Sequence, residues 1–172
     1  MRIIATPTLT LEPQTAAHAE EMFAVLCDPA IYEFENEPPP SLEWLRTRFA
    51  KLESRQSVDG QQQWLNWVIR LPTSELIGFV QATVRPNGNA GIAYVLASAY
   101  WGRGLARDAV EAMMTALHEH YRVRTFSAVL KRENFRSVRL LERLDFSLAT
   151  VAEHVEYQVE HDEVLMQCYR SG

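Results

Sequence analysis

Tyr100-Trp101-Gly102-Arg103-Gly104-Leu105-Ala106 is the stretch on which the reading of this sequence turns. Ahead of it, Gly91 to Leu96 reads as a buried strand. Behind it, Ala106, Ala109, Val110, Met113 and Leu117 recur at the spacing of one helical face. The stretch is therefore a strand-to-helix turn in which two glycines flank one arginine. Glycine reaches positive φ and carries no Cβ, so the N–H groups of such a turn can converge on an anion, with the positive end of the helix dipole behind them. One favourable charge at a helix end gains roughly 0.3–1 kcal/mol, so firm binding needs several N–H groups acting together on a diphosphate. Two other phosphate loops fit worse, which disfavours dinucleotide and P-loop chemistry. Arg107 stands where Gly-x-Gly-x-x-Gly needs its third glycine, and G-x-x-x-x-G-K-[ST] is absent.

Towards the N-terminus, Leu9 and Leu11 alternate with Thr10 and Glu12 in a strand closed by Pro13. Thr15 is placed to cap a helix with Ala19, Met22, Phe23 and Leu26 on one face, ended by Asp28-Pro29. After Pro38-Pro39-Pro40, Ser41 caps a second helix with Leu42, Leu45, Phe49 and Leu52 on one side. Residues 54–63 are a polar loop. Trp64 to Leu71 and Leu76 to Val84 read as strands about Pro72-Thr73-Ser74, and Pro86-Asn87-Gly88-Asn89 reverses the chain into the third strand of a meander. Towards the C-terminus come a strand over Thr125 to Leu130, a helix from Asn134 to Leu144, and strands around Phe146–Thr150 and Val164–Tyr169. A meander followed by β-α-β-α predicts a mixed α/β fold, one sheet with helices on its faces. With 172 residues, 47% apolar and 23% charged, the expectation is a single domain spanning 1–172.

Seventeen basic against 22 acidic residues leave a net charge of −5, which argues against a protein that coats nucleic acid or an anionic membrane. Cys27 and Cys168 stand far apart with no C-x-x-C, which supports neither a disulfide framework nor a structural metal. His118 and His120, two apart, cannot share a helix face as a metal pair, and His154 and His161 read as surface residues. The N-terminal apolar run is too short for a signal peptide, and the longest later one, around Tyr94 to Trp101, falls below the ~18 residues of a membrane span. A cytoplasmic protein without metal or membrane is expected. An anionic ligand must then meet a local basic patch, and Lys131 to Arg143 supplies one, with five basic and two acidic residues. On a helix there, Asn134 and Ser137 share one face while Arg139 and Arg143 pair on another, so chemistry and phosphate binding can be divided between faces.

Together, W-G-R-G-L-A and, some thirty residues later, E-N-F-R-S-V-R-L-L-E-R-L-D-F resemble the two hallmark segments of the GNAT superfamily of acetyl-CoA-dependent N-acetyltransferases. The opening T-P-T-L-T-L-E-P, D-P-A-I-Y, E-L-I-G-F and the closing H-D-E-V-L-M are similar to its branch of ribosomal-protein N-terminal acetyltransferases. The resemblance implies a central mixed, mostly antiparallel sheet flanked by helices. It implies acetyl-CoA as co-substrate, with the diphosphate held by Trp101, Gly102, Arg103, Gly104, Leu105 and Ala106, and with Arg143 assigned to phosphate. Trp101 departs from the family's Arg or Gln at its position. Tyr94, Val95 and Leu96 are implied to hydrogen-bond the pantetheine arm through their backbone, Asn134 to contact it, and an N–H near Leu96 to polarise the thioester carbonyl. Leu141 stands where many members carry a tyrosine acid, whereas Ser137 matches the serine of the ribosomal-protein branch. Counting ten residues past Phe146 makes Glu156 the implied general base, with Glu153, Glu33, Glu35 and Glu37 as competitors. Asp145 replaces the family's glycine before Phe146, and Asp tolerates the left-handed cap required there.

The implied reaction is direct acetyl transfer to a primary amine, without a covalent enzyme intermediate. A lysine-like amine must lose about 3.4 pKa units at pH 7, roughly 4.6 kcal/mol, while an α-amine near 7.7 needs only about 1 kcal/mol. The preferred acceptor is therefore a protein or peptide N-terminal α-amine. Small amines such as amino-acid analogues or antibiotics, and a non-catalytic acyl-CoA-binding module, are the alternatives. The acidic run with Asp28, Glu33, Glu35 and Glu37 offers attraction for a cationic amine.

Overall fold

The meander forms as its alternation dictates. In the computed structural model, which describes residues 1–34 and 36–171, β2 (Thr10–Pro13), β3 (Gln63–Arg70), β4 (Leu76–Val84) and β5 (Asn89–Leu96) pair antiparallel in chain order. A two-residue strand not foreseen from sequence, β1 (Ile4–Ala5), extends this block beyond β2. A second antiparallel block holds β6 (Thr125–Lys131), β7 (Ser147–Leu148) and β8 (Glu163–Tyr169), and the sheet order is β1-β2-β3-β4-β5-β6-β8-β7. The two blocks meet in parallel where Asn89–Gly91 faces Thr125–Ser127, and from there on β5 and β6 diverge.

Helices cover both faces. α3 (Leu105–Tyr121) and α4 (Phe135–Glu142) close the main core, in which Val110, Met113, Met114 and Leu117 pack with Trp67, Val80 and Phe126. Each such side chain taken from water contributes roughly 1.5–3 kcal/mol. α1 (Ala19–Leu26) and α2 (Leu42–Leu52) cover the opposite face at one end, over Val68, Leu76, Phe79 and Val95. Packing on both faces explains why Leu65 to Ile69 is buried without interruption. Ser41 caps α2 as expected, its Oγ accepting from the Trp44 N–H at 3.1 Å.

Several boundaries differ from the sequence reading: Thr15 heads a separate 3-10 turn over Ala16–His18, so α1 starts only at Ala19, and β5 begins at Asn89 ahead of Gly91. The helix read over Asn134–Leu144 is capped by Asn134 and ends at Glu142. Asp145 takes φ 63°, and the Phe146 N–H reaches back to the Leu141 carbonyl at 3.0 Å. The strand read around Phe146–Thr150 is confined to Ser147–Leu148 because Thr150 starts a fifth helix, α5 (Val151–Glu156). Its signal is a capping box. The Glu153 N–H donates to Thr150 Oγ1, and the Thr150 N–H donates back to Glu153 Oε2 at 2.7 Å. Val151 and Val155 are 83% and 73% exposed, so α5 has no buried face for a periodicity argument to detect.

Candidate active site

The turn before α3 adopts the geometry its glycines permit. Gly102 has φ 74° and Gly104, the cap of α3, φ 80°. The first intrahelical bond runs from the Asp108 N–H to the Gly104 carbonyl, and among the described residues no carbonyl takes the N–H groups from Gly102 to Arg107. These donors sit at the C-terminal end of β5, where β5 and β6 have separated. Arg103 leans on the Tyr100 ring, its guanidinium 5.4 Å from the centroid.

The alternation along β5 decides which backbone groups face the separation. The Ala97 N–H donates to Ile77 and the Arg85 N–H to Asn89, so odd-numbered β5 residues exchange hydrogen bonds with β4. Val95 therefore turns its backbone groups to Phe79, whereas those of Tyr94 and Leu96 point towards β6. Of the three strand residues expected to offer backbone groups, two are so oriented. The Leu96 carbonyl already accepts from Trp101 Nε1 at 2.8 Å.

Trp101 thus has a structural partner. Its indole folds back on β5, and the Arg136 guanidinium stacks on its ring at 3.5 Å from the centroid. The polar side chain that the family carries at this position is absent, but a cation from α4 lies over the replacement. Arg136 was not singled out from sequence, and only its place in the first turn of α4 distinguishes it from the other arginines of that basic run. Arg143 stands at the opposite end of α4, exposed and outside the cavity lining.

A cavity of about 470 Å³ runs from this region beneath α1 and α2, and Tyr94, Leu96, Asn134 and Ser137 line it. Asn134 Oδ1 accepts the Ser137 N–H at 3.2 Å, so that oxygen is committed to capping α4, and among the described residues the amide nitrogen has no partner. The Tyr94 hydroxyl donates to the Ser137 carbonyl at 3.4 Å, and burial pushes its pKa up to about 12. A phenol that stays protonated throughout the neutral range therefore stands beside Ser137. Sequence reasoning credited Tyr94 with backbone groups alone.

The carboxylates separate by their partners. Glu153 is tied to Thr150, and it also accepts from the Tyr169 hydroxyl at 3.2 Å; the Thr150 bonds above all hold its carboxyl below the usual range. Glu156 is the last residue of α5, exposed, and not part of the cavity lining. Asp28 is structural. Its carboxylate accepts the Ser98 N–H at 2.7 Å and the Ala30 N–H at 3.0 Å, and the contacts with Ser98 lower its pKa most. Glu37 lines the cavity, Glu33 is exposed, and Glu35 lies outside the described residues. His118 is half-buried, bonded to the Val123 carbonyl at 2.9 Å, and among the described residues no cluster of three or more His, Cys, Asp or Glu is placed to hold a metal. Among them, too, no helix is long and apolar enough to cross a membrane.

Comparison with known proteins bears on the same region. The family model described as an acetyltransferase (GNAT) domain matches residues 8–147. The uncharacterized N-acetyltransferase p20 of Bacillus licheniformis is 25% identical over 148 residues, 85% of this chain and 83% of that protein. Among solved structures, the ribosomal L7/L12 α-N-protein acetyltransferase RimL in complex with coenzyme A has a TM-score of 0.81 at 21% identity, covering 98% of each chain. The acetyl transferase of Salmonella typhimurium that modifies the N-terminal serine of the 50S ribosomal subunit protein L7/L12 scores 0.78 at 19% identity, covering 99% of this chain and all of that one. These structures share the mixed, mostly antiparallel sheet and its flanking helices. Since the family match spans most of the sequence and includes both the glycine turn and α4, the chain belongs to the GNAT acetyltransferases, acyltransferases whose fold uses acetyl-CoA.

Proposed function

We propose that this acetyltransferase passes the acetyl group of acetyl-CoA directly to the α-amine at the N-terminus of a protein or peptide. The observation that carries the reading is the run of unclaimed N–H groups from Gly102 to Arg107 at the mouth of the separation between β5 and β6. There the diphosphate gains several donors and a helix dipole at once, with the Arg136 guanidinium nearby. The pantetheine arm enters between the strands, against the backbone of Tyr94, the Leu96 N–H and the amide nitrogen of Asn134. Arg143, on the far end of α4, makes no contact in this arrangement.

As the amine attacks, the C–N bond forms and the C–S bond breaks. The surplus proton of the amine passes to Glu156 and on to solvent. The departing thiolate accepts a hydrogen bond from Ser137 Oγ–H and takes its proton from water through that hydroxyl. Glu156 is preferred to Glu153 because the oxygens of Glu153 are already occupied. An exposed carboxylate is a modest base, and an α-amine asks for a modest one, about 1 kcal/mol of deprotonation at pH 7. The ribosomal-protein acetyltransferases of the same fold support a polypeptide acceptor.

The test is incubation with acetyl-CoA and a mixed pool of peptides and small amines, with products identified by mass. Acetylation at peptide α-amines is expected, and modification of small amines alone would replace this acceptor. Unchanged transfer rates in both Ser137→Ala and Glu156→Gln would overturn the roles given to these residues.

A further inference from the structure

On the sheet face that α1 and α2 partly cover, one transverse row of side chains has no explanation in the chemistry above. Gln14 stands opposite Asn66, to which its N–H donates at 2.9 Å; Asn66 stands opposite Gln81, and Gln81 opposite Ala93 on β5. Residues directly opposite on antiparallel strands carry their side chains on one face, so three carboxamides follow one another from the residue just after β2 across β3 and β4 towards the separation. All three line the cavity. Gln14 and Asn66 are only 6% and 8% exposed, and Gln14 Nε2 is buried without a hydrogen-bond partner among the described residues. Buried polar groups are normally paired, so an unpaired one in a cavity wall is a donor that a bound ligand can satisfy. The terminal torsion of the side chain is soft enough to turn the amide towards that ligand without moving the backbone.

We propose that Gln14, Asn66 and Gln81 read the main chain of a polypeptide acceptor, pairing with its first peptide groups and aiming its α-amine at the opening between β5 and β6. This role for the three carboxamides rests on the acceptor reading above and deepens it. Carboxamides offer both donors and acceptors, as peptide groups do, and carry no charge. A free amino acid needs a cation for its carboxylate, and the row contains none. The recognised feature is the peptide bond itself, so acceptors are selected for being polypeptides more than for their side chains.

The experiment measures kcat/KM, with acetyl-CoA saturating, for a tripeptide amide and for a primary alkylamine that lacks amide groups. Gln81 is exposed, so Gln81→Leu tests the row without disturbing a buried site, and Gln14→Leu tests its unpaired member. Each substitution is expected to lower the peptide-to-alkylamine ratio of kcat/KM by about three- to tenfold, through KM, as the loss of one hydrogen bond predicts. If the wild-type enzyme acetylates peptides and neither substitution moves the ratio, the row is overturned while the acceptor reading stands. If the wild-type enzyme acetylates the alkylamine and no peptide, both fall.

Discussion

The separation between β5 and β6 is approached from two sides that are made of different material. On the α3 side the available groups are main-chain N–H donors, set in place by two positive-φ glycines within a single turn. On the α1–α2 side they are carboxamide side chains contributed by β3, β4 and the residue that follows β2, brought into line by sheet register. A backbone-built site is indifferent to most side chains, which suits a carrier that is always the same. A side-chain site changes with each substitution, which suits an acceptor that varies between relatives. The division of labour is physical, and it can be attacked from either side.

The first test concerns the proposed general base, which lies outside the cavity lining on α5. Glu156→Gln is expected to lower kcat for a peptide acceptor about fivefold at pH 7, the factor that corresponds to about 1 kcal/mol of α-amine deprotonation. The loss should shrink as the pH rises past the α-amine pKa near 8, since the amine then arrives deprotonated; a pH–rate profile for the two enzymes checks this. Next, Gly104→Val forces a β-branched residue to φ 80°, at about 1–3 kcal/mol, and should weaken coenzyme A binding roughly tenfold by calorimetry. The tryptophan beside it should be less sensitive to loss of its stacked cation. Arg136→Ala removes an interaction of about 0.5–2 kcal/mol, and a few-fold rise in the KM for acetyl-CoA is expected with little change in kcat.

The smallest effect concerns the tie between the two sides, where Asp28, just after α1, holds the Ser98 N–H beyond the end of β5. Its folded-state pKa lies below the ordinary 3.8, so its contribution to stability is present above that value and is lost as the pH falls through the lowered pKa. Asp28→Asn should therefore cost about 0.5–2 kcal/mol near neutral pH, the scale of a lost cap, and that difference should close in acid. Thermal melts of both proteins from pH 7 down to pH 2 measure it.

The same contrast explains what was legible in the sequence. The glycine turn, the face of α3 and the meander announce themselves because glycine chemistry and apolar periodicity are local signals. The Asp145 cap was readable for the same reason, since left-handed geometry selects few residue types. The row formed by Gln14, Asn66 and Gln81 was invisible, because its members become neighbours only once β2, β3 and β4 are in register. The stacking of Arg136 on Trp101 likewise joins two elements that the sequence keeps apart. α5 escaped for another reason. Thr150 and Glu153 spell a capping box, but with its valines facing solvent the segment lacks the apolar stripe that usually prompts the search.

The parallel seam between the two antiparallel blocks has one further consequence. Past Gly91 and Ser127, the inner margins of β5 and β6 each keep main-chain groups that no neighbouring strand satisfies. A pantetheine arm lying there, with its own amides, would act as a borrowed strand that completes the sheet for the length of one catalytic cycle. Release of the carrier reopens the seam, so the rigidity of this enzyme should rise and fall with its cargo, and slowed amide exchange along both margins on adding coenzyme A would be its signature.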